Sequence, residues 1–255
     1  MKKITLFISI TLILFTSCTH KADSAWWETL PGPAYQVLVY SFADSDGDGF
    51  GDLQGLISKL DYLNDGKQET DSDLGISMLW LSPIHPASSY HGYDVIDFTA
   101  VSSRLGTMED FEQLIKECKT RGIHVILDIP FNHTSPEHSW FKAMVEAPES
   151  KYGSFYQRKK EGITYGSGGM GNFYKTKAKD GTTIEYFGAF WSGMPDLNCE
   201  NPDVVKEFNK ILSFWLKKGV SGFRFDAAKH IFDLNEMPSG TPVLQMNRDF
   251  WQALK

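Results

Sequence analysis

Four times along this 255-residue chain a short, β-rich apolar run precedes apolar residues at helical spacing. Tyr35 to Tyr40 leads to Leu53, Leu56, Ile57, Leu60 and Leu63, and Ile76 to Leu81 leads to Met108, Phe111, Leu114, Ile115 and Cys118. Ile123 to Leu127, almost continuously apolar as buried parallel strands are, is followed after a long interruption by Val204, Val205, Phe208, Ile211, Leu212, Trp215 and Leu216. Gly222 to Phe225 is the fourth strand, with Phe250, Trp251 and Leu254 opening a fourth helix. Thr107 with Asp110 reads as a variant capping box, and Asn201 as a cap ahead of Pro202 at the first helical position. Strand-then-helix units in this order predict a parallel sheet with helices outside it.

No Gly-x-Gly-x-x-Gly turn follows the first strand, and polar residues gather where the strands end. That pattern favours, over a doubly wound sheet, the N-terminal half (about four β/α units) of a (β/α)8 TIM barrel, whose site is built from loops at the strand ends. Residues 134–198 interrupt the rhythm. They are rich in Gly, Tyr, Phe and Lys, carry the run Gly166-Ser167-Gly168-Gly169-Met170-Gly171, and show no clean helical period. An inserted irregular domain after strand three is expected there, with the α/β barrel in 34–133 and 199–255.

The chain opens with a cationic Met1-Lys2-Lys3 and an apolar run from Ile4 to Phe15, the pattern of a secretory signal over residues 1–17. Cys18, directly after Thr16-Ser17, resembles the lipidated cysteine of bacterial lipoproteins. The expectation is a secreted protein held on a bacterial membrane by a lipid on Cys18, with residues 18–33 as tether. No second long apolar run follows, which excludes an integral membrane protein. A hydrophobic content of 42% with 14% aromatic residues excludes disorder. The formal charge of −7 is spread without a basic stripe, so no nucleic-acid partner is expected. Three cysteines cannot build a disulfide scaffold, and Cys118 and Cys199 read as buried or idle thiols.

Four clusters sit at the predicted strand ends. After the first strand, Asp44-Ser45-Asp46-Gly47-Asp48-Gly49-Phe50-Gly51-Asp52 sets carboxylates on alternate residues of a Gly-rich turn, a pattern that converges on a hard cation. An EF-hand would need Glu where Gly55 stands, so a Ca2+ loop of another kind is expected, with Asp44, Asp46, Asp48, the Phe50 carbonyl and Asp52 as ligands. A solvated acidic turn is the plainer alternative. After the second strand, Tyr90-His91-Gly92-Tyr93-Asp94 places aromatic faces beside a carboxylate, a combination that suits a sugar ring. The third strand ends Asp128-Ile129-Pro130-Phe131-Asn132-His133, whose polar groups would be costly to leave unpaired in one pocket. The fourth runs Gly222-Phe223-Arg224-Phe225-Asp226-Ala227-Ala228-Lys229-His230; alternation puts Arg224 and Asp226 on one side, where an Arg charge favours an ionised carboxylate. Alone, that pair would read as a structural ion bridge.

With these motifs the sequence resembles the α-amylase family of glycoside hydrolases, from about residue 35 onward. Asp128 to His133 and Gly222 to His230 resemble two of its signatures, and Met194-Pro195-Asp196-Leu197-Asn198 a third, which separates its subgroups. The resemblance implies that Asp226 is the catalytic nucleophile and Arg224 its charge partner. It implies that His133 and Tyr93 hold the sugar in the cleavage subsite, with Asp94 and His91 close by. Lys229 and His230 would line the leaving-group side, Asp128 and Asn132 would support the site from below, and 134–198 would be the family's domain B. The expected partners are starch or malto-oligosaccharides, and the expected activity is that of an α-amylase.

Retention requires two carboxyl groups about 5 Å apart. In the family the acid/base is a Glu after a fifth strand, which this sequence does not contain, and Glu236 stands where the family has no acid. The chain is therefore expected to be inactive by itself. The Met-Pro-Asp-Leu-Asn spelling is similar to that of amylase, neopullulanase and cyclomaltodextrinase relatives, whereas oligo-1,6-glucosidases usually begin it with Gln. Cyclomaltodextrinase, neopullulanase, α-glucosidase or transglycosylase activity stays open. So does a carbohydrate-binding lipoprotein without catalysis, while a purely structural half-barrel leaves the strand-end residues unexplained.

Overall fold

In chain order the elements are β1 (Ala34–Val37), α1 (Leu53–Ser58), α2 (Leu60–Leu63), β2 (Met78–Leu81), α3 (Met108–Thr120), β3 (His124–Pro130), α4 (Ser139–Glu146), β4 (Asn172–Lys177), β5 (Thr183–Gly188), α5 (Pro202–Lys217), β6 (Gly222–Asp226) and α6 (Val243–Ala253). They come from a computed structural model that describes residues 25–67 and 71–254; the leader and Cys18 lie outside the described residues. Residues 25–30 belong to a small separate unit, a 3-10 turn at Trp26–Glu28. Among the described residues, the unit that begins at Pro31 holds all of the strands and α-helices. Among the described residues no helix is long and apolar enough to cross a membrane.

β1, β2, β3 and β6 pair in that order, all parallel. Register aligns Gln36 with Trp80 and Ile126, and Asp128 with Arg224. One face packs against the helices through Leu79, Leu81, Val125, Leu127 and Ile129, all buried. Phe131 stacks on Phe208 of α5 at 3.6 Å, and Trp215 meets Phe111 of α3 at 5.1 Å while its Nε1 donates to the Phe98 carbonyl at 2.7 Å. The helix starts follow the sequence closely. Thr107 Oγ1 accepts from Asp110 N at 3.1 Å while Asp110 Oδ2 accepts from Thr107 N at 2.7 Å, and Asn201 caps α5 through Asp203 N at 2.9 Å. Gly219, at φ 96°, ends α5 in a conformation that other residues avoid.

Three elements differ from expectation. The first strand stops at Val37 and tightens into a 3-10 turn at Val39–Ser41, because the acidic loop folds back and bonds Gly51 N to the Tyr40 carbonyl at 2.7 Å. The first helix breaks at Lys59, whose φ of −105° and ψ of 4° separate α1 from α2. The stretch 134–198 is not wholly irregular: it holds α4 and an antiparallel β4–β5 hairpin. Both are short and are stabilised by contacts remote in sequence, such as Phe141 of α4 against Tyr186 of β5 at 5.1 Å.

His85 shows how dry this core is. It is 2% exposed, lies 5.3 Å from the Trp215 ring, and burial depresses its pKa from 6.5 to about 4. The unfolded chain therefore takes a proton near pH 6.5 that the folded chain refuses until about pH 4, so this group makes stability fall as pH falls through that window. In denaturant titrations at pH 7 and 4.5, His85→Gln is expected to remove roughly 2–3 kcal/mol of the acid-induced loss. An identical loss in both proteins would defeat the assignment.

Candidate active site

The register of β3 and β6 brings Asp128 opposite Arg224, and strand alternation then places Asp226 on the face of Arg224. Arg224 Nη1 donates to Asp128 Oδ1 at 3.0 Å, to Asp128 Oδ2 at 3.1 Å and to Asp226 Oδ1. Asp128, wholly buried, also accepts from Tyr93 Oη at 2.9 Å and from Trp80 Nε1 at 3.2 Å. The guanidinium rests 5.2 Å over the Trp80 ring. Burial lifts the Asp128 carboxyl above its ordinary range while Arg224 and Tyr93 pull it back. Burial, then the neighbouring Asp128, raises the Tyr93 phenol, which stays a neutral donor.

Directly after Asp226 the chain turns through Ala227, the only non-glycine residue of positive φ among the described residues, at 54°. A left-handed alanine costs about 1–2 kcal/mol. The step carries the chain from β6 into the 3-10 turn Ala228–His230.

His133 is 1% exposed, and burial lowers its pKa to about 4, so it is a neutral imidazole. Its Nδ1 lies 3.4 Å from Asn132 Nδ2, and its Nε2 has no hydrogen-bond partner among the described residues. A buried polar atom left this way is costly unless a bound group satisfies it. Phe190 packs edge-on between His133 at 5.2 Å and His230 at 5.7 Å.

The structure thus brings Tyr93, His133, Arg224 and Asp226 together, with Asp128 and Asn132 behind them. His91 and Asp94 join through Ser89, whose Oγ donates to Asp94 and lies 2.9 Å from His91 Nδ1. The His91 ring is 5.8 Å from that of Tyr93. His230 connects through Phe190, its Nδ1 2.9 Å from Asp233 Oδ2. Lys229 is exposed and tied to none of them. Glu236 accepts from the Asp233 N–H at 2.8 Å and bonds no member of the Asp128–Arg224–Asp226 set. Burial lifts the carboxyls of Glu236 and Asp196 well above their ordinary range. Trp80, Ser89, Phe190 and Asp233 escaped sequence reasoning; only Trp80 left a signal, since alternation in β2 sets it apart from buried Leu79 and Leu81.

The inserted segment is fastened to this rim at both ends. Leu197 N donates to the Asn132 carbonyl at 2.8 Å and Thr134 N to the Pro195 carbonyl at 3.2 Å. Further on, Met170 N donates to Asp233 Oδ1 at 3.1 Å, Gly169 N to Asn235 Oδ1 at 3.0 Å, and Asn235 Nδ2 to the Gly171 carbonyl at 3.3 Å. A Cβ at Gly169 would meet Asp233 Oδ1 at 1.8 Å, so only glycine allows this approach.

In the acidic loop, carboxylate oxygens of Asp44, Asp46 and Asp48 lie within 4.8 Å of one another. Backbone donors from Gly47 and Gly49 hold Asp44 below its ordinary pKa. Asp52 is turned elsewhere: it caps α1 through Gly55 N at 2.7 Å and accepts from Ser45 N at 2.8 Å. Phe50 lies in the same turn, its N–H bonded to Asp48 Oδ1 at 2.8 Å.

A family model described as the alpha-amylase catalytic domain matches residues 36–249. The chain is 42% identical over 253 residues to alpha-amylase 3 of Dictyoglomus thermophilum, covering 99% of this chain and 46% of that protein. It is 36% identical over 227 residues to oligo-1,6-glucosidase of Parageobacillus thermoglucosidasius, covering 86% and 38% respectively. Among solved structures, an alpha-amylase from H. orenii superposes with a TM-score of 0.71 at 43% identity, over 88% of this chain and 44% of that one. The chain therefore spans less than half the length of these relatives, and its parallel sheet with its helices matches the N-terminal half of a TIM barrel.

Proposed function

This chain belongs to the α-amylase family of glycoside hydrolases, and from that premise we propose that the protein cleaves α-1,4-glucans with retention, Asp226 attacking the anomeric carbon. The observation that carries the reading is the Arg224 bridge. One guanidinium nitrogen joins Asp226 to the wholly buried Asp128, and Tyr93 is bonded to the same carboxylate. Asp226 is thereby held in one orientation as its Oδ1 accepts a charge-assisted bond, which leaves Oδ2 for the sugar. A neutral His133 with an unsatisfied Nε2 suits a sugar hydroxyl. The Tyr93 ring supplies the apolar face, and Phe190 and the segment around Asp196 wall the cleft as domain B. The carboxyl that protonates the leaving oxygen is not among the described residues around Asp226, and Glu236 does not supply it.

The spelling Met194-Pro195-Asp196-Leu197-Asn198 supports an α-amylase, and the likeness to an oligo-1,6-glucosidase supports a second reading as an α-glucosidase. Starch and isomaltose assays on the full-length protein separate the two. In that protein Asp226→Asn is expected to abolish formation of the glycosyl-enzyme while the melting curve stays within a few degrees. Turnover at the native rate would refute the nucleophile.

The acidic loop is proposed to bind Ca2+. Asp44, Asp46 and Asp48 already converge and Asp44 is firmly anionic, which fits a hard cation; the Phe50 carbonyl would add a further oxygen, while Asp52 stays committed to the cap of α1. Because this loop braces the end of β1, chelation is expected to lower the melting temperature more than it changes sugar affinity, and an unchanged melt in chelator would count against the site. Cys18 is proposed to carry the lipid that holds the secreted protein on a bacterial membrane. Mass spectrometry of the mature N-terminal peptide is expected to show a diacylglyceryl cysteine, and an unmodified thiol there would remove the anchor.

A further inference from the structure

We propose that Asp233 is a positioning residue for the cleavage at Asp226: it fixes the ring plane and the proton of His230, which then meets the departing sugar through Nε2. The inference rests on the α-glucan reading above and on His230 lying toward the leaving-group side. Asp233 is 6% exposed, and among the described residues its only ionisable partner of opposite sign is His230, with no Lys or Arg in reach. N–H groups meet its charge instead. Oδ1 accepts from Met170 N at 3.1 Å and from Asn235 N at 3.2 Å, and Oδ2 lies 2.9 Å from His230 Nδ1. A buried carboxylate accepts and does not donate, so Nδ1 carries the hydrogen and points it at Oδ2.

The ring is confined on its other sides. His230 is buried, its backbone N–H donates to the Ala227 carbonyl at 2.7 Å, and the Phe190 ring stands edge-on at 5.7 Å. A flip of the imidazole would take Nδ1–H from the carboxylate and leave a dry charge short of a donor. Asp233 cannot follow such a flip. Its own N–H donates to the Glu236 carboxylate at 2.8 Å, and the Gly169 backbone lies so near that a Cβ there would meet Oδ1 at 1.8 Å. Nε2 is the ring nitrogen left over, with no hydrogen-bond partner among the described residues. With Nδ1 protonated, the neutral ring offers Nε2 as an acceptor, which suits a hydroxyl of the sugar that departs when Asp226 attacks. The inserted segment and the imidazole are thus aligned by one carboxylate.

The test is steady-state kinetics of the full-length protein on maltoheptaose, whose leaving group is a sugar, and on α-maltosyl fluoride, whose leaving group is a single small ion. In Asp233→Asn the side-chain oxygen can still accept from Met170 N and Asn235 N, while an amide donor faces Nδ1 and moves the ring proton to Nε2. The kcat/KM for maltoheptaose is expected to fall about tenfold, and that for α-maltosyl fluoride by no more than about twofold. Because Asp233 acts through His230, adding Asp233→Asn to His230→Ala is expected to lower maltoheptaose turnover by less than about twofold more. Nitrogen NMR of histidine-labelled native protein, with His230 assigned by its loss in His230→Ala, is expected to show a protonated Nδ1. Parallel loss of both substrates, an undiminished effect of Asp233→Asn in the His230→Ala background, or a bare Nδ1 in the native protein would each overturn the positioning role. Turnover of neither substrate by the native full-length protein would instead overturn the glucan reading on which it rests.

Discussion

Asp128 is a buried carboxylate, and a buried carboxylate must be surrounded by donors or be lost to the fold. Its donors come from three other places in the chain: Arg224 on β6, Trp80 on β2 and Tyr93 in the loop after β2. None of the three can move without leaving charge unsatisfied in a dry site, so the carboxylate acts as a gauge that fixes their mutual distances. Asp226 inherits its position through Arg224, and the left-handed turn at Ala227 holds the chain to that position from the other side. Sheet register is tied to this arrangement. A one-residue slip of β6 would send Arg224 to the helix-packed face, where no acceptor waits.

The parts of the fold legible from sequence were those whose signals are local. A capping box needs only Thr107 and Asp110, and the α5 start only Asn201 and Pro202, so both helices begin where the residues say. Alternation alone put Arg224 and Asp226 on one face. The break at Lys59, the eight residues of α4 and the β4–β5 hairpin left no such trace, because each depends on partners far along the chain. The site divides in the same way. Tyr93, His133, Arg224 and Asp226 stand in recognisable motifs, whereas Phe190 matters only because folding slides it between two histidines. Asp233 looks like any loop acid until Met170 and His230 are seen to share its two oxygens.

Aromatic residues serve two separate purposes. Phe98, Phe111, Phe131, Phe208 and Trp215 form a dry interior in which even an imidazole stays uncharged. Tyr93, Tyr90 and Phe50 belong to the rim, where one side of the ring packs and the other meets solvent. The first group makes the scaffold stiff enough for the second to present its faces at fixed spacing.

The glycine run of the inserted segment is gripped by residues made long after it: Asp233 follows Met170 by 63 positions and Asn235 follows Gly169 by 66. Until the stretch after β6 is in place, the wall of the cleft has no clasp. The segment therefore takes its final shape late in folding, when the piece beyond β6 closes on it.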